Sequence, residues 1–371
     1  MSDASNSHFI DMYVEQAEAP RFLSGFFQSP ARNFHTTEKV EIDIIRDDEQ
    51  IAIVVTDLST GGRMNEDSVY SNKAFTPPIL QEMGVISAYK TMARQAGMNP
   101  YDDPNYGQVA RDQAFRIGRK LEPKIRRTIE LMAAQTLSLG VVTLTDTAGT
   151  ALYSLDFQAK ASHMATCGST AGYGAVWVAG GATGTPLEDL ALMARTIRQD
   201  GRKVPKDLIF GRTAWAYFKS YTAVKEQLQT NFNSPGTGQY VTPVRRGSDG
   251  ATYLGWITID LYRFDMWGYD GCYRDPVTPY ALVPYVDPTH VLMLSDGRLD
   301  LSYGAIPRIV ESDPRAMPFL PGRISSSAQG LDLTTNAWFT PDGQNLMVSF
   351  GTRPLTIPTA IDTFGRIKMA A

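Results

Sequence analysis

The sequence predicts an α+β protein built around one long helix and many short strands. Apolar residues recur at spacings of four, four and three between positions 121 and 132, which places one apolar stripe on a helix predicted over 104–139. In other segments apolar and polar residues alternate and then stop at Gly or Pro, as in half-buried strands. A chain of 371 residues is expected to form roughly two or three packed units, and no repeat period is present.

Composition describes an ordinary globular protein. Hydrophobic residues make up 43% and charged residues 20% of the chain, which is enough for a sizeable core. No segment approaches the roughly 18 consecutive apolar residues of a membrane span, so we expect no membrane partner. The first residues lack the basic and apolar regions of a secretory signal, and Cys167 and Cys272 lie far apart. We therefore expect reduced thiols in a protein made in the cytoplasm.

Charge is unevenly distributed along the chain. The formal net charge is −4, and the first nineteen residues contain four acidic side chains and no basic one: Asp3, Asp11, Glu15 and Glu18. The remainder is therefore balanced. A dedicated reader of nucleic acid would have a strong basic excess. A balanced body suits a protein that packs against many copies of itself.

An arm and a long hairpin are predicted before the main helix. Residues 1–35 form the arm, because Pro20 and Pro30 interrupt any long helix. Its phenylalanines, including Phe26 and Phe27, need a surface to cover them, either on the same chain or on a neighbour. Residues 40–75 then read as a hairpin with a small core and a loose turn at Gly61 and Gly62.

The long helix has clear end signals and one irregularity. Asp103 and Pro104 suit its start, and Gly140 suits the position after its end. Pro123 predicts either a kink or a junction between two helices. Residues 105–139 hold seven basic and three acidic side chains, a net charge of +4. This helix presents either a solvated charged face or a surface turned toward DNA or an acidic partner, through Arg116, Arg119, Lys120, Arg126 and Arg127.

Sequence motifs for catalysis are absent. The four histidines lie away from other ligand-type residues at metal spacing, and no nucleophile, base and orienting group can be assembled. A glycine-rich stretch over 168–184 precedes a helix that begins near Pro186. Its residues 180–185 are interpreted as a linker, with a phosphate site as the alternative, although the Lys of such a loop is missing. We expect no enzyme activity, no cofactor and no metal.

Several blocks, in order along the chain, resemble the lambda-type major capsid proteins of tailed bacteriophages, the capsid protein E family with the Hong Kong 97 fold. The most specific is the segment 130–137 (ELMAAQTL) followed by Gly140. The others are Phe26-Phe27 with Phe34, and segments 41–43, 74–79, 186–190, 208–211, 303–306 and 354–358. The resemblance covers residues 22–368, nearly the whole chain.

The resemblance implies a domain plan. An N-terminal arm and first strand occupy 1–45, an extended loop 46–76, a peripheral domain with the spine helix 77–184, an axial domain 185–310, and return strands of the peripheral domain 311–371. The extended loop is expected to reach a neighbouring subunit. Expected assembly contacts are Gly61, Gly62, Arg63, Phe26, Phe27 and Phe75. Residues 231–250, rich in Gly, Ser and Pro, form an insert that the family plan does not explain.

The resemblance also implies a function. The chain would assemble through pentamers and hexamers into an icosahedral head shell around packaged double-stranded DNA, in the host cytoplasm, and end in the virion. Scaffolding protein and portal would be separate proteins, with a decoration protein as a further partner, and contact with packaged DNA would be sequence-independent. Two alternatives stay open: an encapsulin-like compartment shell, and a nucleotide- or phosphate-binding enzyme that uses the loop at 180–185.

Overall fold

The computed structural model describes residues 19–37, 39–44, 71–89, 106–146, 148–181, 183–232, 250–278, 281–306 and 332–369. Within these ranges the helices are α1 (Tyr106–Leu139), α2 (Pro186–Gly201), α3 (Arg212–Phe218) and α4 (Thr222–Phe232). The strands are β1 (Val40–Ile44), β2 (Ser71–Phe75), β3 (Leu80–Ser87), β4 (Val141–Thr145), β5 (Ala151–Asp156), β6 (Met164–Thr166), β7 (Pro205–Phe210), β8 (Ala251–Ile259), β9 (Tyr262–Tyr269), β10 (Cys272–Arg274), β11 (Leu282–Pro284), β12 (His290–Ser295), β13 (Asp300–Tyr303), β14 (Thr334–Phe339), β15 (Asn345–Thr352), β16 (Pro354–Ile357) and β17 (Phe364–Lys368).

Several predicted features lie outside the described residues. These are Gly61, Gly62 and Arg63, most of the extended loop, and residues 233–249 of the insert.

The helix α1 is one continuous helix of 34 residues with Pro123 inside it, so the alternative of two helices meeting at Pro123 is wrong. Its end agrees with the prediction. Gly140 has a φ of +69°, the left-handed conformation that ends many helices. Its N–H donates to the Thr136 carbonyl at 3.1 Å.

The largest sheet has six strands in the order β6-β17-β12-β7-β9-β8 and is mixed, because β7 is parallel to β9 and β17 is parallel to β6. Its central strands are buried on both faces. Along β7, Leu208 and Phe210 pack with α2, α3 and α4, whereas Ile209 between them packs with α1 and the arm. A strand covered on both sides is apolar at successive positions, which explains the run at 208–210.

The six-stranded sheet crosses two of the predicted domain boundaries. Four of its strands lie within 185–310, but β6 precedes that range and β17 follows it. One strand from before the predicted axial domain and one from after it therefore complete the sheet. The domain plan itself stays a prediction.

A three-stranded antiparallel sheet, β14-β15-β3, packs on α1. The contact is close at Gly84, where an added Cβ would lie 2.4 Å from Cγ2 of Ile117. Lys124 of α1 and Glu82 of β3 form an ion pair at 3.1 Å beside it. Even-numbered positions of β3 thus face the helix, and odd-numbered positions face away from it.

The predicted hairpins are found where the structure describes them. Strands β1 and β2 pair antiparallel from Val40 with Phe75 to Ile44 with Ser71, and β4 pairs with β5. The first hairpin rests on the body of its own subunit: Val40 is fully buried in a small core with Met132 and Leu355.

The contact at Gly84 gives a stability test. Gly84→Ala should lower the free energy of unfolding by about 1–3 kcal/mol, because the new methyl group must displace Ile117 in a packed core. Chemical denaturation of the unassembled chain measures it. Gly25→Ala is the matched control, since no atom lies within 4 Å of its added Cβ. Equal stability of the two variants would show that the helix and the sheet are not in close contact.

Candidate functional site

A buried carboxylate joins three distant parts of the chain. Glu130 lies on α1 with its side chain fully buried. Its Oε1 accepts the backbone N–H of Leu23 at 2.8 Å and the Tyr269 hydroxyl at 2.9 Å, and its Oε2 accepts the N–H of Ser24 at 2.9 Å. The arm, α1 and β9 therefore meet at the Glu130 side chain.

Burial makes these hydrogen bonds necessary. Desolvation raises the pKa of Glu130, although the donors from Ser24, Leu23 and Tyr269 oppose the shift. The pKa of Tyr269 is also raised, by burial and then by the neighbouring Glu130 charge, so its hydroxyl stays protonated as a donor. A buried carboxylate without such partners is strongly destabilising.

The next turns of α1 hold two more parts of the chain. The Gln135 amide binds the backbone of Thr143 in β4 as a neighbouring strand would: Oε1 accepts its N–H at 2.9 Å and Nε2 donates to its carbonyl at 3.0 Å. The hydroxyls of Thr136 and Thr356 lie 2.8 Å apart, which joins the helix to β16. The segment 130–137, the most specific block of the family resemblance, is thus an internal anchor.

The arm lies on its own subunit over residues 19–37. Phe22 stacks on Tyr269 with ring centroids 5.6 Å apart, and Leu23 is fully buried. Phe27 is only 5% exposed in the same core, so its own chain already covers most of the ring. Its role as an assembly contact stays a prediction. Phe26 is half-buried against Phe22.

Phe75, at the end of β2, is half-buried against Phe157, with ring centroids 5.9 Å apart. Of the expected contacts that the structure describes, Phe26 and Phe75 are the ones with surface left for a neighbour. Their role in assembly stays a prediction.

Arg126 differs from the exposed cations of α1, because its side chain is 18% exposed and is paired within the subunit. Its predicted role as a residue facing the interior, DNA or a scaffold stays a prediction. Its guanidinium binds both carboxylate oxygens of Asp332, and Tyr303 donates to Asp332 Oδ1 at 2.8 Å. Burial would raise the pKa of Asp332, but the hydrogen bonds and charge of Arg126 outweigh it and lower that pKa. The charge of Arg126 is therefore compensated within the subunit.

The remaining predicted cations differ in exposure. Arg116, Arg119 and Lys120 are exposed, and Arg127 is half-buried. Positions three and four apart share one side of a helix, so the three exposed cations form one surface, here called the basic face.

The loop before α2 is organised around Asp189, which is 1% exposed. Its carboxylate accepts the N–H of Gly174 and the indole N–H of Trp177, both at 2.7 Å. Gly184 has a φ of +92°, and an added Cβ would lie 2.9 Å from the Ala175 carbonyl. An anion at this helix end would face a buried carboxylate, which weighs against a phosphate site at 180–185, the alternative to the predicted linker.

The sequence suggested no metal spacing, but the fold brings His163, Asp200 and Asp362 together. His163 Nε2 lies 3.1 Å from Asp200 Oδ2, and its Nδ1 lies 2.9 Å from the Phe364 carbonyl. The Lys160 ammonium lies 3.0 Å from Asp200 and 3.3 Å from Asp362. The Lys160 ammonium thus provides the positive charge between the two carboxylates. Asp200 lies near the end of α2 and Asp362 lies just before β17, so the cluster links these two elements.

The fold also exposes one apolar surface that the sequence patterns did not indicate. On the side of β3 away from α1, Met83 is 55% and Val85 47% exposed. The register places Val85 beside Met347 and Met347 beside Trp338, both half-buried. We call Met83, Val85, Met347 and Trp338 the β3 face. Its period of two was visible in the sequence, but only the position of α1 shows which side is uncovered.

None of the helices that the structure describes is long and apolar enough to cross a membrane.

The fold is that of solved phage capsid proteins. Among solved structures the chain is similar to the protein assigned as the capsid protein of a prophage in Escherichia coli CFT073, with 15% identity and a TM-score of 0.55, over 81% of this chain and 80% of that chain. Weaker similarity extends to the mature capsid of bacteriophage PhiM1 (8% identity, TM-score 0.44, 97% and 89% of the chains) and to an encapsulin complex from Synechococcus elongatus PCC 7942 (9%, 0.42, 97% and 92%). No curated protein matches the sequence.

The sequence matches the family Phage major capsid protein E over residues 12–369, and the chain belongs to this family. Its fold is the mixed α+β fold of phage capsids of the Hong Kong 97 type. Its function is that of a head shell protein, and its role is structural. Membership of a phage capsid family favours the head shell over the encapsulin-like compartment.

The anchor at Glu130 gives a second stability test. Glu130→Ala should lower the free energy of unfolding by about 3–5 kcal/mol, because it leaves two buried donors and one part-buried donor without their acceptor. Glu130→Gln keeps one acceptor and removes a buried charge, so we expect a loss of about 1–2 kcal/mol. Chemical denaturation of the unassembled chain at neutral pH compares them.

The stability difference between the native chain and Glu130→Gln should depend on pH, because only the Glu130 carboxyl titrates. This dependence distinguishes the effect of a buried carboxylate from a simple loss of packing. The pKa of Glu130 is raised above 4.5 in the folded chain, so its contribution to stability is complete below that pH and is lost as pH rises through the folded pKa. The stability advantage of the native chain over Glu130→Gln should therefore narrow from acidic to neutral pH. An advantage that grows with pH would contradict a desolvated carboxylate.

Proposed function

We propose that this head shell protein assembles through pentamers and hexamers into an icosahedral shell around double-stranded DNA, with scaffolding protein and portal supplied as separate chains. In this proposal the subunit assembles in the host cytoplasm, has no catalytic activity, and offers its outer surface to a decoration protein. The finer domain plan, with an axial domain at 185–310 around the symmetry axes, belongs to the same proposal.

The observation that supports this proposal most directly is the β3 face. An exposed apolar surface on a soluble protein marks a place where another molecule packs. Because the family forms shells, the neighbours of each subunit are copies of itself, so the proposed occupant of the β3 face is a second copy of this chain. Among the strands that the structure describes, β3 is also at the edge of its sheet, so one side of its backbone has no strand partner there.

Internal anchors complement this surface. Glu130, Gln135 and Arg126 use their polar groups within the subunit. They hold the helix, the arm and the sheet in a fixed relation, so the β3 face is presented as a rigid surface. Association with a preorganised surface loses less conformational entropy than association with a loose one.

The proposed contact predicts a specific assembly defect. Met83→Glu/Val85→Glu should abolish capsomers and shells while leaving the fold intact, because both side chains are exposed in the subunit and an interface would bury their new charges. Negative-stain electron microscopy of the expressed chain, with and without its candidate scaffolding protein, measures assembly. Thermal unfolding of the subunit confirms the fold.

Leu282→Glu is the matched control, since Leu282 is 66% exposed and lies on β11, away from the β3 face. Shells from Leu282→Glu but not from the double variant would support the assignment. Loss of shells in both variants, or in neither, would contradict it. A native chain that stays monomeric under every condition would contradict the shell function itself.

A further inference from the structure

The basic face of α1 brings three exposed cations together on one side of the helix. Arg116, Arg119 and Lys120 lie on the side opposite the buried residues Leu121 and Ile125. Further along the helix, Lys124 pairs with Glu82 and Arg126 pairs with Asp332. The exposed Asp112 lies one turn before Arg116, so this solvent-facing side of the helix has three cations and one carboxylate, a net charge of +2.

The opposite charge is present in the same chain. Residues 1–18 contain four carboxylates, at Asp3, Asp11, Glu15 and Glu18, and no Lys or Arg side chain. We propose that this acidic segment binds the basic face of its own chain before assembly and covers that face against nucleic acid. The proposal goes beyond the shell function and would hold for the unassembled subunit alone.

The length of the segment permits this contact. The arm is fixed to α1 where Leu23 and Ser24 bind Glu130. From Glu130 back to Arg116 the helix rises by about 21 Å, at 1.5 Å per residue. Eighteen extended residues span up to about 60 Å. The acidic segment is therefore longer than the distance along α1 to the basic face.

Tethering favours the acidic segment over any dilute competitor. A segment joined to the same chain has an effective concentration on the order of millimolar at a site within its reach. Each exposed ion pair is individually weak and is screened by salt. Duplex DNA carries one charge for every ~1.7 Å of its axis, so it displaces the segment once its local concentration is high. The contact would reduce binding of the unassembled subunit to dilute nucleic acid. DNA at the high concentration inside a shell would displace the acidic segment.

The test removes the acidic charges from the unassembled full-length chain. In Asp3→Asn/Asp11→Asn/Glu15→Gln/Glu18→Gln, affinity for a random-sequence DNA duplex should rise by about tenfold at low salt, and the gain should shrink as salt increases. Fluorescence anisotropy over a salt series measures it. Adding Arg116→Gln/Lys120→Gln to this variant should remove most of the gain, whereas the same two changes in the native chain should alter affinity little.

A matched control separates a local contact from a change in net charge. It neutralises four exposed carboxylates of the described body instead: Glu188, Glu226, Asp260 and Asp270. This control should gain less than twofold in DNA affinity. The proposal is overturned if the control gains as much as the acidic-segment variant, or if neither variant differs from the native chain.

Crosslinking tests whether the contact forms within one chain. Carbodiimide joins the Lys120 amine to a nearby carboxylate, and an equal mixture of isotopically light and heavy chains reports the origin of each partner. Crosslinks between Lys120 and the acidic segment should join light with light and heavy with heavy. Mixed crosslinks in the statistical proportion would assign the segment to a second copy and overturn the same-chain contact.

Discussion

The burial of the Glu130 carboxylate is the constraint on which most of the fold depends. A charge in the core needs hydrogen-bond donors, and here they come from positions 107, 106 and 139 residues away along the chain. Two donors are adjacent backbone N–H groups of the arm, and the third is the hydroxyl of Tyr269 in β9. The arm and β9 must therefore both be in place before the carboxylate has all its hydrogen bonds. Folding of the arm is thereby coupled to folding of the body. The adjacent anchors at Gln135 and Thr136 extend the same coupling to β4 and β16.

The polar side chains that bind within the subunit have a structural role, which distinguishes them from the residues left on its surface. Along α1, one side packs into the core, Lys124 and Arg126 bind carboxylates of the sheet region, and the basic face remains toward solvent. The β3 face lies on the far side of the sheet that covers α1. The subunit thus presents an apolar surface and a basic surface on different sides of one rigid unit, which suits a protein with one kind of contact for its copies and another for charged partners.

Local patterns in the sequence predicted local structure well. The helix over 104–139 is found at Tyr106–Leu139 with Gly140 after it, and the hairpin at 141–155 is β4 with β5. Predictions that depended on distant partners were less successful. Nothing near Arg126 indicates a carboxylate 206 residues away, and Phe27 could not be distinguished from an exposed aromatic until the arm was seen on its own core. The family resemblance identified residues 130–137 as specific, but the role of Glu130 required the fold.

Hydrogen exchange of the Leu23 and Ser24 amides tests the anchor most directly, because both N–H groups donate to Glu130. If the arm is coupled to the core, these amides should exchange only through global unfolding, with the same opening free energy as the slowest amides of α1. Amides at Leu23 and Ser24 that exchange through local opening, with a free energy well below that of the helix, would show that the arm folds independently of the body.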